Sequence, residues 1–273
     1  MYNASTGFYP FEISNSLRFD DAKLTKTFGT PTNQNKWTWS AWVKYSTASS
    51  DTTLFSSYDG SDTSNRALIS FDGGLNLGFT NFTGGTRTRL ISSAMFRDPA
   101  SWYNIVIEFD STQSTESNRT KIYVNGQEIT SFSPSEYIAQ NQSEINKDGE
   151  PHQIGAHGSG SFFPGYLAEV NFIDGTPLDK DSFGETKEGI WIPKDTSGLT
   201  FGNNGFRLQF KNSSVGSASS STVGADTSGN NNHFSSTNLA TTDNMTDSPT
   251  DNHCVMSPIT TAEGQAQSTL SEG

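Results

Sequence analysis

The stretch Ser101-Trp-Tyr-Asn-Ile-Val-Ile-Glu-Phe-Asp110, followed by Thr120-Lys-Ile-Tyr-Val-Asn-Gly-Gln-Glu-Ile-Thr130, decides the fold class. Ile105, Ile107 and Phe109 alternate with Asn104, Val106, Glu108 and Asp110, and Ile122 and Val124 alternate with Lys121, Tyr123 and Asn125. A two-residue period is that of a strand with one face buried. Between such segments Asn125-Gly126 marks a hairpin, because a type I′ turn needs positive φ at both central residues. These segments pair as antiparallel strands.

Working outward, Ile13–Phe19 reads as a strand, and Trp37–Lys44 as another with Trp37, Trp39, Ala41 and Val43 on one face and Thr38, Ser40, Trp42 and Lys44 on the other. Segments 53–58, 66–71, 75–82 and 87–96 continue the pattern, with Asp72-Gly73-Gly74 as a tight connection. A polar excursion, 133–150, precedes His152–Gly155, and Gly165–Asp174 is a strand with Val170 and Phe172 sharing a face. The helix-like piece Asp179–Gly184 is a single turn at most. Repeated short strands with almost no helical period give an all-β, antiparallel two-sheet jelly-roll sandwich. Its interior is predicted to hold Trp37, Trp39, Val43, Ile105, Ile107, Phe109, Ile122, Val124, Val170 and Phe172.

The chain has 273 residues, 32% hydrophobic but 12% aromatic, so the core must be built from few, large side chains. A formal charge of −12 leaves no basic surface to displace phosphate counterions, which excludes a nucleic-acid partner and disfavours anionic membranes. No apolar run approaches the roughly 20 residues of a membrane-spanning helix, and the first residues lack the pattern of a secretory signal. The lone cysteine, Cys254, permits no internal disulfide. Composition changes near residue 212: residues 212–252 are Ser, Thr, Asn, Gly and Asp with sparse apolar anchors, Val215, Val223, Phe234, Leu239 and Met245. Such a segment cannot form a core of its own. Residues 1–211 are therefore read as the β-sandwich and 212–273 as a polar extended arm or linker, ordered through contacts with the sandwich or a neighbouring subunit.

An ordered set of phrases carries a family resemblance: Ser16-Leu-Arg-Phe-Asp20, Trp37–Lys44, Phe96-Arg-Asp-Pro-Ala-Ser-Trp-Tyr103, Ile122-Tyr-Val-Asn-Gly126, Gly165–Gly175 and Ser182-Phe-Gly-Glu185. Together they resemble the concanavalin A-like, laminin-G-type jelly roll. With Trp191-Ile-Pro-Lys194 and Asp226-Thr-Ser-Gly-Asn230 they are similar to the version found in structural proteins of marine tailed phages. The resemblance runs from about Ile13 to Pro258. In longer relatives the passage like Asn252–Pro258 leads into a further β domain. The resemblance implies a non-enzymatic virion protein of the tail, fibre or capsid surface, assembled in the host cytoplasm. It implies other virion proteins and further copies of itself as partners, and contact with host-surface polysaccharide. The alternative is a carbohydrate-binding module of a bacterial surface adhesin, with a glycoside hydrolase as a remote third.

A retaining hydrolase needs two carboxylates about 5 Å apart, and the glucanase branch of this fold supplies them as Glu-x-Asp-x-x-Glu. Here Glu108-Phe-Asp110 offers two acids on one strand face without the third, and none of His152, His157, His233 and His253 sits in a nucleophile context. No catalytic residue and no cofactor is assigned. Laminin-type jelly rolls often hold Ca²⁺ at the rim; Asp59, Asp62, Asp72 and Asp110 lie at strand ends, but no Asp ladder marks a site and turn formation is the competing role. The spacing of His152, His157, His253 and Cys254 does not suit zinc. For a glycan, aromatic platforms are wanted. Trp42 and Tyr123 are out of phase with the core, and Tyr58, Phe162, Phe163 and Tyr166 fall in or beside loops, so these six are the contact candidates.

Overall fold

The structure, a computed structural model, describes residues 7–46, 51–58 and 60–253. Its strands are β1 (Ser16–Phe19), β2 (Lys23–Thr27), β3 (Lys36–Tyr45), β4 (Thr52–Ser57), β5 (Arg66–Phe71), β6 (Asn76–Thr83), β7 (Thr86–Met95), β8 (Tyr103–Asp110) and β9 (Thr120–Val124). They continue as β10 (Gln127–Glu128), β11 (Phe132–Ser135), β12 (Pro151–Ile154), β13 (Gly165–Asp174), β14 (Gly184–Lys187), β15 (Ile190–Pro193), β16 (Phe206–Leu208), β17 (Ser235–Thr237) and β18 (Asn244–Met245). The first sheet runs β10-β9-β8-β3-β13-β1-β18, with β16 also on β13, and the second runs β11-β7-β6-β5-β4-β12-β2-β17. Every pairing between these strands is antiparallel. This is the expected jelly-roll sandwich.

The opening hairpin takes the form its residues dictate. Asn125 and Gly126 have φ of 47° and 75°, and Val124 pairs with Gln127 across the turn. Ile105, Ile107, Phe109, Ile122 and Val124 point between the sheets beside Trp37, Trp39, Val43, Val170 and Phe172. Trp37 stacks on Phe109 of its own sheet, with centroids 4.5 Å apart, and meets Phe79 of the other sheet edge-on at 5.8 Å. Asp72-Gly73-Gly74 does connect β5 to β6, but the left-handed residue there is Leu75 (φ 63°), held because Asp72 accepts hydrogen bonds from the amides of Gly74 and Asn76. The helix-like piece is one 3₁₀ turn, Lys180–Ser182, capped by the Asp179 carboxylate.

The excursion 133–150 differs from the sequence reading, and the arm after 211 makes the first of the two contacts expected of it. The excursion 133–150 begins inside an edge strand, β11, and sends Ile138 and Ile145 into the core. Pro134 sits in that outermost strand, the position where a missing N–H costs no ladder bond. The polar chain after 211 lies on the sandwich: β17 extends the second sheet, β18 extends the first, and Val223, Phe234 and Leu239 join the main core. Cys254 and the residues beyond lie outside the described residues.

The interior also holds a histidine. The His152 ring is fully buried, stacked on Phe28 at 3.7 Å; its Nδ1–H donates to the Glu150 carbonyl and its Nε2 accepts from the Asn146 amide. Burial pushes its pKa down to about 3, against the weaker opposing effect of the Glu150 bond. The unfolded chain binds this proton near pH 6.5, the folded one does not. Stability should therefore be full above about 6.5 and fall by about 1.4 kcal/mol per pH unit as pH drops toward 3. His152→Gln should flatten that slope in urea melts taken from pH 6.5 to 4. Separately, Trp39→Ala should cost about 3–5 kcal/mol; a wild-type melting curve would show that Trp39 does not fill the core.

Candidate functional site

A sandwich has two outer faces, and among the described residues one is covered and the other open. Against the first sheet, Trp42, Trp102, Tyr166, Ala168 and Ile13 form a buried cluster with Phe11, Trp191 and Met245. Beside it, Val106, Tyr123, Ile173, Phe183 and Phe201 form another. The cover comes from the N-terminal segment and from the chain after β13, including the β14–β15 hairpin. Trp191 on β15 donates to Asn104 Oδ1 (3.0 Å) and packs against Gly126 and Gly184, where any Cβ would strike its ring.

This cover decides the fate of the sugar-contact candidates. Trp42, Tyr123 and Tyr166 do face outward, but under the cover they are 5–6% exposed, and Phe163 is wholly interior. None of the four can serve as a platform, which corrects their assignment. Tyr123 Oη donates to Glu108 Oε2 (2.9 Å), and burial together with Glu108 pushes its phenol up. Tyr58 and Phe162 remain half-buried near the surface.

The acids are likewise engaged. Glu108 holds Tyr123 and lies 3.8 Å from Lys121. Asp110 accepts from Thr112 and Gln113 and lies 3.4 Å from Lys36; burial works to raise its carboxyl, but these hydrogen bonds outweigh it and hold it low. Asp62 accepts from Ser64 and Asn65, and Asp72 from Gly74 and Asn76, so each serves its own loop. Among the described residues no three His, Cys, Asp or Glu side chains gather as a metal site. Asp59 lies outside the described residues.

On the second sheet the alternation that buries Ala67, Ile69, Phe71, Leu77, Phe79 and Leu90 turns their neighbours outward. Register sets these in rows across β5, β6 and β7: Arg66–Phe82–Arg87, Leu68–Thr80–Arg89 and Ser70–Gly78–Ile91. Gly78 keeps the floor low; a Cβ there would meet Ile91 Cδ1 at 2.3 Å. Asp51, Thr53, Asp72, Ser133, Pro134, His157 and Ser161 complete a groove of about 320 Å³, within the range of small-molecule sites. A shallower depression of about 530 Å³, floored by Tyr58 and Gln153, continues from it past His157 and Ser161.

Three buried nitrogens on this groove lack hydrogen-bond partners among the described residues: Arg66 Nε, Arg89 Nε and His157 Nε2. Buried polar atoms in native proteins are nearly always satisfied, so these three nitrogens have hydrogen-bonding capacity to offer a ligand in the groove. Arg66 stacks on the Phe82 ring at 3.8 Å and donates to the Thr63 carbonyl. His157 stacks on Tyr58 at 4.4 Å; burial, helped by the nearby Arg66 charge, pushes its pKa down to about 4, so the ring is neutral at pH 7. None of these residues except Asp72 and Tyr58 is among the sequence candidates. The signal was the run of outward arginines on neighbouring strands, which only the register makes visible.

A family model described as the concanavalin A-like lectin/glucanases superfamily matches residues 18–181. No curated protein matches the chain. Among solved structures, a presumptive carbohydrate-binding protein from Bacteroides ovatus is similar at 13% identity and TM-score 0.54, covering 85% of this chain and 60% of that one. A point mutant of the NanB sialidase from Streptococcus pneumoniae is similar at 14% identity and TM-score 0.48, over 61% of this chain and 26% of the sialidase. The CBM40 of the Ruminococcus gnavus IT-sialidase, bound to α2,3-sialyllactose, is similar at 13% identity and TM-score 0.43, covering 62% and 96%. At such identities the likeness is one of fold.

Because Trp42 supports the cover rather than the groove, Trp42→Ala should cost about 3–5 kcal/mol of stability. Ligand binding per folded molecule should stay unchanged, as titration at a temperature well below the melting point would show.

Proposed function

Since the chain belongs to the concanavalin A-like lectin/glucanase superfamily, we propose that it is a non-catalytic carbohydrate-binding domain whose site is the open outer face of the second sheet. The observation that carries this reading is the groove itself: Arg66, Arg89 and His157 nitrogens that make no hydrogen bond among the described residues, around an apolar floor of Leu68 and Ile91. Sugar recognition needs this mixture, apolar surface against ring C–H groups and directed polar atoms for hydroxyls. Thr53, Ser70 and Thr80 supply hydroxyls along the floor, and Phe82 supplies an aromatic edge.

Catalysis is not part of the proposal. The groove carboxylates, Asp51 and Asp72, accept hydrogen bonds from backbone amides of the β5–β6 turn, a role at odds with a proton-donating acid.

The setting we propose is the surface of a phage particle, in contact with other virion proteins and further copies of itself, with the groove turned to a host polysaccharide. Its support is the ordered set of sequence phrases, and their place in the structure says what they do. Phe183-Gly-Glu185 and Trp191–Lys194 build the cover of the first sheet, and Asp226 binds the Arg207, Ser228 and Asn232 amides in the arm. They maintain this particular closure of the sandwich. Mass spectrometry of purified particles tests the setting; absence of the chain from particles would favour a bacterial surface adhesin instead.

For the activity, immobilised protein should retain at least one of laminarin, agarose, alginate or a host polysaccharide extract, with no reducing ends released on incubation. Release that disappears in Glu108→Gln or Asp110→Asn would overturn the non-catalytic reading, and failure to retain any polysaccharide would overturn the binding reading.

A further inference from the structure

We propose that the glycan carries an anionic group, a carboxylate or a sulfate ester, and that Arg66, Arg87 and Arg89 hold it at one end of the groove. The inference rests on the carbohydrate-binding reading above and names its ligand class.

The chain has a net charge of −12 and only seven arginines, yet three of them line this one groove. Arg66 and Arg87 flank Phe82 in a single cross-strand row, and Arg87 and Arg89 stand two residues apart on one face of β7. That spacing is about 7 Å, close enough for like charges to repel. The fold does little to relieve them: Glu136 lies 3.9 Å from Arg89, Arg66 finds a carbonyl, and Arg87 makes no ion pair among the described residues. The planar guanidinium fork matches the oxygens of a carboxylate or sulfate, and a charge-assisted pair is the strongest use of an unfilled N–H.

The far end of the groove has the opposite character. Asp72 lies six residues along β5 from Arg66, about 20 Å in an extended strand, and Asp51 stands beside it, its Oδ1 accepting from the Gly73 amide. Carboxylates there accept sugar hydroxyls and repel a second anion. His157, beside Arg66 and stacked on Tyr58, is a neutral ring and a partner for a hydroxyl. The polarity therefore fits a saccharide with a charged residue at one end of the bound stretch, and works against a densely charged polyanion.

The test is calorimetric titration of the purified protein with three sets of oligosaccharides: neutral β-glucan, uronate-containing and mono-sulfated galactan. Each is run at low and high salt. Uronate or sulfated chains should bind, the better of the two identifying the oxyanion. Their affinity should fall on the order of tenfold in high salt and again in Arg87→Ala or Arg89→Ala. Arg87→Lys should keep part of the affinity, since it restores charge without the fork. Arg97→Ala, beyond the end of β7 and outside the groove, should change nothing. Arg87 is exposed, so its variants keep the fold, and a melting curve checks this. Neutral chains bound as tightly as charged ones, with no loss in the Arg87 and Arg89 variants, would overturn the anionic ligand while leaving a lectin. Binding of none of the three sets would overturn the carbohydrate reading beneath it.

Discussion

The ammonium of Lys44 has no exposed surface, and much of the architecture follows from satisfying it. Lys44 lies on β3, at the centre of the first sheet, and its Nζ reaches Asp247 Oδ2 at 2.7 Å, Asn252 Oδ1 at 2.9 Å and the His253 carbonyl at 3.1 Å. A buried charge is tolerable only when paired and hydrogen-bonded, because desolvation costs several kcal/mol. All three partners come from the last described turn of the chain. Asp247 in turn accepts from Trp102 Nε1 and from the His253 amide, so one carboxylate joins the end of the chain to β3 and to the loop before β8. The polar segment after residue 211 thus belongs to the fold through a charge at its centre as well as through Phe234 and Val223.

That return path makes the sandwich asymmetric. A sheet whose outward residues include Trp42, Val106, Tyr123 and Ile173 cannot be left to water, and the β14–β15 hairpin, the N-terminal segment and residues around Met245 cover it. The second sheet leaves β5, β6 and β7 uncovered, because its outward residues are mostly polar, Arg66, Ser70, Thr80, Arg87 and Arg89, with Leu68, Phe82 and Ile91 among them. The open face is a consequence of strand composition, and the groove forms where β11 and the 157–161 loop rise at its edges.

The sheet architecture was legible because period-two alternation is local: every core position read from β3, β8, β9 and β13 is buried between the sheets. The turn at Asn125-Gly126 was legible because few residues tolerate positive φ. What alternation cannot tell is what lies on the other side of an outward residue. Trp42 and Tyr123 were placed on the correct face and yet lie inside, since their cover is supplied by distant chain, Phe11 and Ile13 before Trp42 and residues 183–201 some 60 to 150 positions later. β11 escaped notice because Pro134 breaks the pattern. The groove was illegible for a related reason: Arg66, Phe82 and Arg87 look scattered in sequence and become a row only through the register of three strands.

Stability and recognition are consequently written on different residues. Replacing Trp39, Trp191 or Lys44 removes packing or leaves a charge uncompensated, so the residues that close the sandwich and its cover are constrained by folding and mark the family. Arg66, Arg87 and Arg89 lie outside the core between the sheets, and Arg87 and Arg89 stand close enough on β7 to repel. Folding alone would favour exchanging at least one of them for a neutral side chain, since Arg87 and Arg89 are like charges about 7 Å apart on one face of β7. Their joint presence on the one uncovered face is thus best accounted for by something outside the fold, a ligand whose charge offsets theirs.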